Sequence, residues 1–122
     1  MSWNFDNNKP IYIQLVEQLK LKIISGEIPI SSKLDSVRYM AEEAEVNPNT
    51  MQRALAELER EGLVYTKRTA GRFVTDDEEK VKSMREEVAN IEINKLRNTL
   101  SKLGYNFDEI IDLIRDNLKG EI

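Results

Sequence analysis

The sequence has 122 residues, enough for one domain or for one domain with a small appendage. It contains neither cysteine nor histidine, which excludes disulfides, thiolate or imidazole metal sites, and the Ser-His-Asp and Cys-His catalytic arrangements. Lysine and arginine number 18 against 22 aspartates and glutamates, and the resulting net charge of −4 disfavours nucleic-acid binding if bulk charge alone is considered.

The acidic excess lies in the C-terminal part of the chain. Residues 1–75 carry ten basic and ten acidic side chains, whereas residues 76–122 carry eight basic and twelve acidic ones. Neither a signal peptide nor a membrane span is predicted, because residues 1–10 are polar and the apolar runs are short. We therefore expect a cytoplasmic protein without a cofactor.

The first predicted helix begins at Pro10, since proline suits a first helical position, where its missing amide donor is not needed. Ser25-Gly26 supply the end of this helix, and a loop containing Pro29 follows. The apolar residues at helical spacing between these points are Ile13, Val16, Leu19, Ile23 and Ile24.

A short second helix is predicted next, followed by a tight turn and a third helix. The second helix begins at Asp35 or Ser36, either of which can cap it, and ends at Ala44. The third helix opens at Pro48, with Asn47 as its cap, and continues until a glycine ends it. This succession is typical of a helix-turn-helix.

The start of the third helix carries side chains that suit contacts with DNA. In a helix-turn-helix this end faces the major groove, and its free N–H groups attract phosphate. Amide, hydroxyl and guanidinium groups can hydrogen-bond to base edges and phosphates there. The candidates are Asn47, Asn49, Thr50, Gln52 and Arg53. For Asn47 a capping role is the alternative, and the two roles are compatible.

Two β-prone runs after the third helix predict a hairpin. They are residues 63–66 and 73–75, and the loop between them contains a glycine. In a winged helix-turn-helix such a hairpin is the wing, which lies over the DNA backbone or in the minor groove. Cations on a turn are also typical of a solvated loop, but on a wing each could displace a condensed counterion. The candidates for DNA contacts on the wing are the three cations and two neighbouring residues of the turn: Lys67, Arg68, Thr69, Gly71 and Arg72.

Residues 76–122 predict a long helix from Asp77 to Leu103 and a last helix from Asp108. Two helices cannot enclose a sizeable ligand pocket or bury both of their apolar faces, so we expect them to pack against the first domain and a second copy. The candidates for this dimer interface, each with a place in the intramolecular core as its alternative, are Val81, Met84, Val88, Ile91, Leu96, Leu100, Ile110, Ile114 and Leu118.

Five passages within residues 9–75 form a specific set. They are KPIYIQL (9–15), IISGEI (23–28), SVR with MA (36–41), VNPNTM with RA and LEREGLV (46–64), and GRFV (71–74). Together they resemble the GntR family of bacterial transcription regulators, in particular its YtrA-like branch. The resemblance implies a mainly helical fold with a small β-hairpin: a winged helix-turn-helix DNA-binding domain at 1–75 and a two-helix dimerisation region at 76–122.

The resemblance also implies roles for single residues. Arg38 should contact phosphate or a base, for which the alternative is an ion pair with Glu42, four positions further on. Ser36 should act both as helix cap and as a donor to phosphate. The major groove should receive Asn49, Thr50 and Arg53, and the wing tip should hold Arg68 and Gly71.

Three positions depart from the family pattern. Ser31 stands where a glycine is usual, and Asp35 stands where a proline is usual. Thr69 begins the wing passage Thr-Ala-Gly, where the family has Gly-x-Gly. Asp35 also brings an acid close to the expected position of a phosphate.

We therefore predict a sequence-specific DNA-binding regulator, with repression as the expected mode, that binds a palindromic operator as a homodimer. The alternative is a winged-helix module that binds another protein and not DNA, which the net acidity favours. An enzyme is not expected, because the neighbouring carboxylates fall on exposed helix positions without a pocket-forming segment. A small-molecule effector bound in a groove at the dimer interface is compatible with this prediction, but the sequence does not identify one.

Overall fold

The computed structural model describes residues 3–120. Its elements are α1 (Ile11–Ile24), α2 (Val37–Ala44), α3 (Pro48–Arg60), β1 (Val64–Lys67), β2 (Gly71–Val74), α4 (Glu78–Lys102) and α5 (Phe107–Lys119). The predicted class, mainly helical with a small hairpin, is confirmed. Two compact units are present, and the first ends at Arg85 while the second begins at Glu86, both within α4. Within residues 3–120, no helix is both long and apolar enough to cross a membrane.

The start of α1 is held by a buried glutamine. The helix begins at Ile11, one residue later than predicted, because Pro10 keeps an extended backbone with ψ 132° and is the N-cap. The side-chain amide of Gln14 donates to the carbonyls of Asp6 (2.7 Å) and Lys9 (3.0 Å), and its oxygen accepts from the Asp6 N–H (2.7 Å). These bonds satisfy a buried amide and fix the chain that leads into α1.

The second helix is closed at both ends by local hydrogen bonds. Ser36 Oγ accepts from the N–H of Tyr39 at 3.1 Å, so Ser36 and not Asp35 is the N-cap. At the other end Glu45 takes a left-handed backbone, with φ 56°, and the next N–H, that of Val46, returns to α2. The left-handed residue creates the tight turn of the helix-turn-helix.

The third helix begins and ends as predicted. Asn47 Oδ1 accepts from the N–H of Asn49 at 2.7 Å, and Pro48 occupies the first helical position. The helix ends at Arg60, and Gly62 follows with φ 81° in the left-handed region. α3 packs on α1, α2 and β1. The fully buried large side chains of this first unit are Leu15, Leu19, Ile23, Met40, Met51, Leu55, Leu58, Leu63, Val64 and Val74.

The hairpin is joined by a third extended segment that the sequence pattern assigns to a loop. β1 and β2 are antiparallel, with Val64 opposite Val74 and Lys67 opposite Gly71. On the other edge of β2, the N–H of Val74 donates to Ser32 at 2.9 Å, and the N–H of Leu34 donates to the Arg72 carbonyl at 2.9 Å. Residues 32–34 therefore anchor the hairpin to the entry of α2.

The second unit consists of the rest of α4 and α5. α5 begins at Phe107, one residue earlier than predicted, because Asn106 and Glu109 form a reciprocal capping box. Among the described residues of this unit, Ile110 is buried, while many large apolar side chains stay exposed. The exposed ones are Ile91, Ile93, Leu96, Leu103, Tyr105, Phe107, Ile111 and Leu118.

Candidate nucleic-acid interface

The exposed face of α3 carries three of the predicted polar residues. Asn49, Gln52 and Arg53 are exposed, and their spacing of three and four places them on one side of the helix. Thr50 is half-buried at the edge of this face. Asn47 caps the helix through its oxygen, which leaves its amide N–H groups unused by that contact. The opposite side of α3 is buried against the core, so the polar face is fixed in orientation.

The guanidinium of Arg53 lies on the ring of Tyr12, which stands in the first turn of α1. The Arg53 Cζ atom is 3.8 Å from the ring centroid, well within the range of a cation–π contact. Such a contact uses the flat face of the guanidinium and leaves its N–H edge available for hydrogen bonds. The contact therefore limits the conformations of Arg53 without consuming its donors.

The two glutamates further along α3 and the C-cap Glu61 each have a partner. Glu57 accepts two hydrogen bonds from Arg60, which lowers the pKa of Glu57 and raises the pKa of Arg60. Glu59 accepts from the hydroxyl of Thr66. The carboxylate of Glu61 is 3.5 Å from Lys20 Nζ. These pairings reduce the negative electrostatic potential at the C-terminal end of α3. The acids there therefore repel a polyanion at the N-terminal end less strongly.

The start of α2 presents Ser36 and Arg38. The Ser36 oxygen accepts the capping hydrogen bond, and its own hydroxyl proton remains able to donate. The Arg38 Nε atom is 3.8 Å from Glu42 Oε1, the ion pair that the spacing of four residues allows, but both side chains are largely exposed. An exposed pair at this distance holds Arg38 weakly, so the guanidinium can leave it for a phosphate.

The wing residues differ in how firmly they are held. Arg68 and Thr69 are exposed at the tip. Lys67 Nζ lies 4.7 Å from the ring centroid of Phe73. Gly71 has φ 105°, so a side chain here would be strained, and an added Cβ would lie 3.2 Å from Lys33 Cε. Arg72 is half-buried, and its Nε atom is buried without a hydrogen-bond partner among the described residues.

A groove of about 460 Å³ separates the wing from the start of α2. The side-chain donors in its lining are Lys33, the Ser36 hydroxyl and Arg72, together with Thr66, whose hydroxyl already donates to Glu59. Asp35 lines it as well and is the one acid among its lining residues. Two cations and a hydroxyl suit a phosphate, whereas Asp35 opposes one by charge repulsion. No group of three acidic side chains within residues 3–120 is arranged to hold a metal ion.

The model of the bacterial regulatory proteins of the gntR family matches residues 11–74, which is more than half of the chain. The chain belongs to the GntR family. It is therefore a DNA-binding transcriptional regulator and not an enzyme, and the resemblance found in the sequence is confirmed. This also decides against the alternative of a winged-helix module that does not bind DNA.

Two relatives from Bacillus subtilis (strain 168) are similar over different lengths. The HTH-type transcriptional regulator YhcF is 32% identical over 120 residues, which cover 98% of this chain and 99% of YhcF. The HTH-type transcriptional repressor YtrA is 38% identical over 71 residues, covering 58% of this chain and 55% of YtrA. The similarity to YhcF thus extends through the C-terminal helices, whereas the similarity to YtrA covers little more than half of each chain.

Two solved structures support the fold. A GntR family transcriptional regulator from Listeria monocytogenes superimposes with a TM-score of 0.85 and 38% identity, over 92% of this chain and 98% of that one. The AraR(DBD) in complex with operator ORR3 matches with a TM-score of 0.52 and 25% identity, over 62% of this chain and 88% of that one. A DNA-binding domain with a similar fold has therefore been solved on an operator.

Sequence reasoning missed Tyr12 and Lys33 as parts of this surface. Both lie outside the helix-turn-helix in the sequence, and they reach it only through tertiary packing: Tyr12 through α1 against α3, and Lys33 through the segment beside β2. The sequence does hold one signal that Tyr12 has a special role. It is an aromatic residue in the first turn of a helix whose buried face is aliphatic.

The residues predicted for a dimer interface divide by burial within the single chain. Val81 and Ile110 are buried, which favours the core role that the pattern left open for them. Met84, Val88, Leu100 and Ile114 are half-buried, and the exposed ones are Ile91, Leu96 and Leu118. In the second unit, a groove of about 470 Å³ is lined by Leu96, Leu100, Leu103, Tyr105, Leu113, Ile114, Asn117 and Leu118.

Proposed function

We propose that this protein is a repressor that binds a palindromic operator as a homodimer. In this proposal residues 1–75 are the DNA-binding domain and residues 76–122 are the dimerisation region. α3 reads bases in the major groove, and the wing contacts the backbone or the minor groove. Because bacterial operators lie in the cytoplasm, the proposal places the protein there. YtrA, named as a repressor, is the relative that supports the mode of regulation.

The polar face of α3 is the observation that carries the proposal. Asn49, Gln52 and Arg53 project from the N-terminal half of a helix whose other side is buried. A helix fixed in this way can present amide and guanidinium groups to base edges in a constant register. The wing adds cations with no acid between them, so the local charge is positive although the whole chain is acidic.

The apolar surface of the second unit supports the homodimer. Leu96 and Leu118 are 46% and 60% exposed, and both line the same groove. An exposed apolar patch of this kind marks an association surface. A homodimer joined at such a patch carries two copies of α3, and its two-fold symmetry demands an inverted repeat in the operator.

The test is a titration of the full-length protein on DNA selected from a random pool, repeated at several salt concentrations. Contacts with about six phosphates should give a slope near −5 when the logarithm of the binding constant is plotted against that of salt. Replacing Arg68 with alanine should make the slope shallower by about one, uniformly over sequences. Failure to enrich any DNA at low salt would contradict the proposal.

A further inference from the structure

We infer that Tyr12 is a positioning residue for base recognition, which acts by holding the Arg53 guanidinium in the orientation that reads a base. The inference rests on the proposed function, because it assumes that Arg53 faces the major groove. Tyr12 belongs to α1, outside the helix-turn-helix, and its place in the chain gives no indication of a role in specificity.

The geometry of the pair favours this role. Arg53 Cζ lies 3.8 Å from the Tyr12 ring centroid, which is the distance of a guanidinium stacked on an aromatic face. Tyr12 is half-buried while Arg53 is exposed, so the ring is the fixed partner and the guanidinium is the mobile one. A stacked guanidinium keeps its planar fork of donors free, and this fork is what recognises a guanine edge by two hydrogen bonds.

The neighbouring acid, Glu57, is hydrogen-bonded to another arginine. Glu57 lies one helical turn beyond Arg53, the spacing at which an arginine and a glutamate pair on a helix surface. Arg60 occupies both oxygens of Glu57, and within the described residues Arg53 has no carboxylate oxygen within 4 Å. Arg53 therefore rests on an aromatic face rather than on a carboxylate, which would occupy its donors.

The wing offers a comparison. Lys67 also lies over an aromatic ring, that of Phe73, at 4.7 Å, whereas Arg68 at the wing tip has no such partner within residues 3–120. A lysine presents a compact charge that can contact a phosphate in any orientation. Stacking on a ring therefore changes its recognition of phosphate little. For arginine the orientation of the fork decides whether two hydrogen bonds form with a base. Stacking should therefore affect sequence discrimination at Arg53 and not at Lys67.

The experiment is a double-mutant cycle on full-length protein, with Tyr12→Leu and Arg53→Gln alone and together. Affinities are measured on the DNA selected by the wild-type protein and on its single-base variants. Tyr12→Met gives a second ring-free variant should Tyr12→Leu fold poorly, and Tyr12→Phe keeps the stacking face without the hydroxyl. Thermal unfolding of every variant identifies losses that come from folding.

We expect Tyr12→Leu and Tyr12→Met to lower operator affinity about two- to fivefold, the effect of an exposed cation–π contact. Discrimination should fall only at the base pair that Arg53→Gln also affects. Tyr12→Phe should bind within about twofold of wild type, and Tyr12→Leu should add nothing in the Arg53→Gln background, because the two changes remove one unit.

Equal losses in the two backgrounds would overturn the inference, since Tyr12 would then act on DNA or on folding independently of Arg53. A loss in Tyr12→Phe as large as in Tyr12→Leu would overturn it too, because the hydroxyl and not the ring face would be responsible. Unchanged discrimination in all Tyr12 variants would have the same consequence. If the wild-type protein selects no DNA at all, the proposed function itself fails, which distinguishes the two outcomes.

Discussion

The two compact units of this chain differ in where they place their large apolar side chains. Among its described residues, the first unit fully buries ten of them and leaves three exposed, Ile13, Leu21 and Tyr39. The second unit exposes eight and, among its described residues, buries one, Ile110. The first unit therefore has a core that can stabilise it alone, whereas the second gains most of its apolar burial only when another surface covers it.

Charge is also distributed unevenly along the chain, but its boundary falls before α4 and not between the two units, which meet within α4. Residues 1–75 are neutral and residues 76–122 carry the whole excess of four negative charges. Within the first unit, Glu57 on α3 and its C-cap Glu61 form ion pairs, whereas the wing cations form none with the residues that the structure describes. Net charge is thus a poor guide to the function of this chain, because the acidity belongs to the region that contributes nothing to the proposed DNA surface.

The strongest test of the first unit is Leu58→Ala. Leu58 is completely buried on α3, so its truncation should lower the free energy of unfolding by about 2–5 kcal/mol. Chemical denaturation measures this loss. The matched control is Leu21→Ala on α1, where the side chain is 50% exposed and the change should stay within about 0.5 kcal/mol. Similar losses in both variants would show that this core does not carry the stability of the unit.

The corresponding test of the second unit is Leu118→Asp. A charge in the proposed interface, together with the loss of two buried leucines per dimer, should weaken dimerisation by at least about 3 kcal/mol, or more than a hundredfold. Sedimentation over a concentration series measures the dissociation constant. Leu21→Asp is the control, because it adds the same charge to an exposed leucine of the first unit. Equal dimerisation by both variants would exclude the apolar surface of the second unit as the interface.

A smaller effect is expected from Arg53→Ala. Loss of a two-bond contact to a base should weaken operator binding by about 1–3 kcal/mol and relax selectivity at one base pair. The control is Arg115→Ala on α5, where the guanidinium pairs with Asp112 at 3.3 Å and lies in the other unit. Fluorescence anisotropy on a labelled operator compares them. If Arg115→Ala weakens binding as much as Arg53→Ala does, the effect of Arg53 cannot be assigned to base reading.

The smallest predicted effect concerns the loop beside β2. Ser31 has φ 66°, a left-handed backbone that favours glycine, and its N–H lies 3.2 Å from the Val74 carbonyl. Ser31→Gly should therefore stabilise the first unit by about 0.5–1 kcal/mol. The same change at the neighbouring Ser32 should destabilise it, because Ser32 lacks a positive φ and loses its 2.6 Å bond to the Pro29 carbonyl. Thermal unfolding distinguishes the two signs.

Much of the fold could be predicted from local signals. Apolar periodicity, Asn47 before Pro48 and the glycine after α3 located the recognition helix almost to the residue, since caps and breakers act locally. The family's glycine at position 31 also has a physical reason here, because this backbone is left-handed and Ser31 adopts it nevertheless.

Features that depend on tertiary packing could not be predicted. Residues 32–34 contain no β-prone run, and they become extended only because β2 offers a free edge. The stacking of Arg53 on Tyr12 joins residues 41 positions apart on different helices, which no spacing rule covers. Core and interface residues of the C-terminal helices could not be distinguished from the sequence either. Val81 and Leu118 follow similar apolar patterns, but Val81 is buried and Leu118 is exposed.

The central claim is that α3 reads DNA while the second unit joins two copies of the protein into a dimer. The most direct measurement is selection of bound DNA from a random pool, followed by sequencing, with wild-type protein and with Leu118→Asp. For wild type we predict an inverted repeat whose half-site centres lie about ten base pairs, or a multiple, apart. For Leu118→Asp we predict the same half-site without fixed spacing. A single half-site selected by the wild-type protein, or no enriched sequence, would contradict the account.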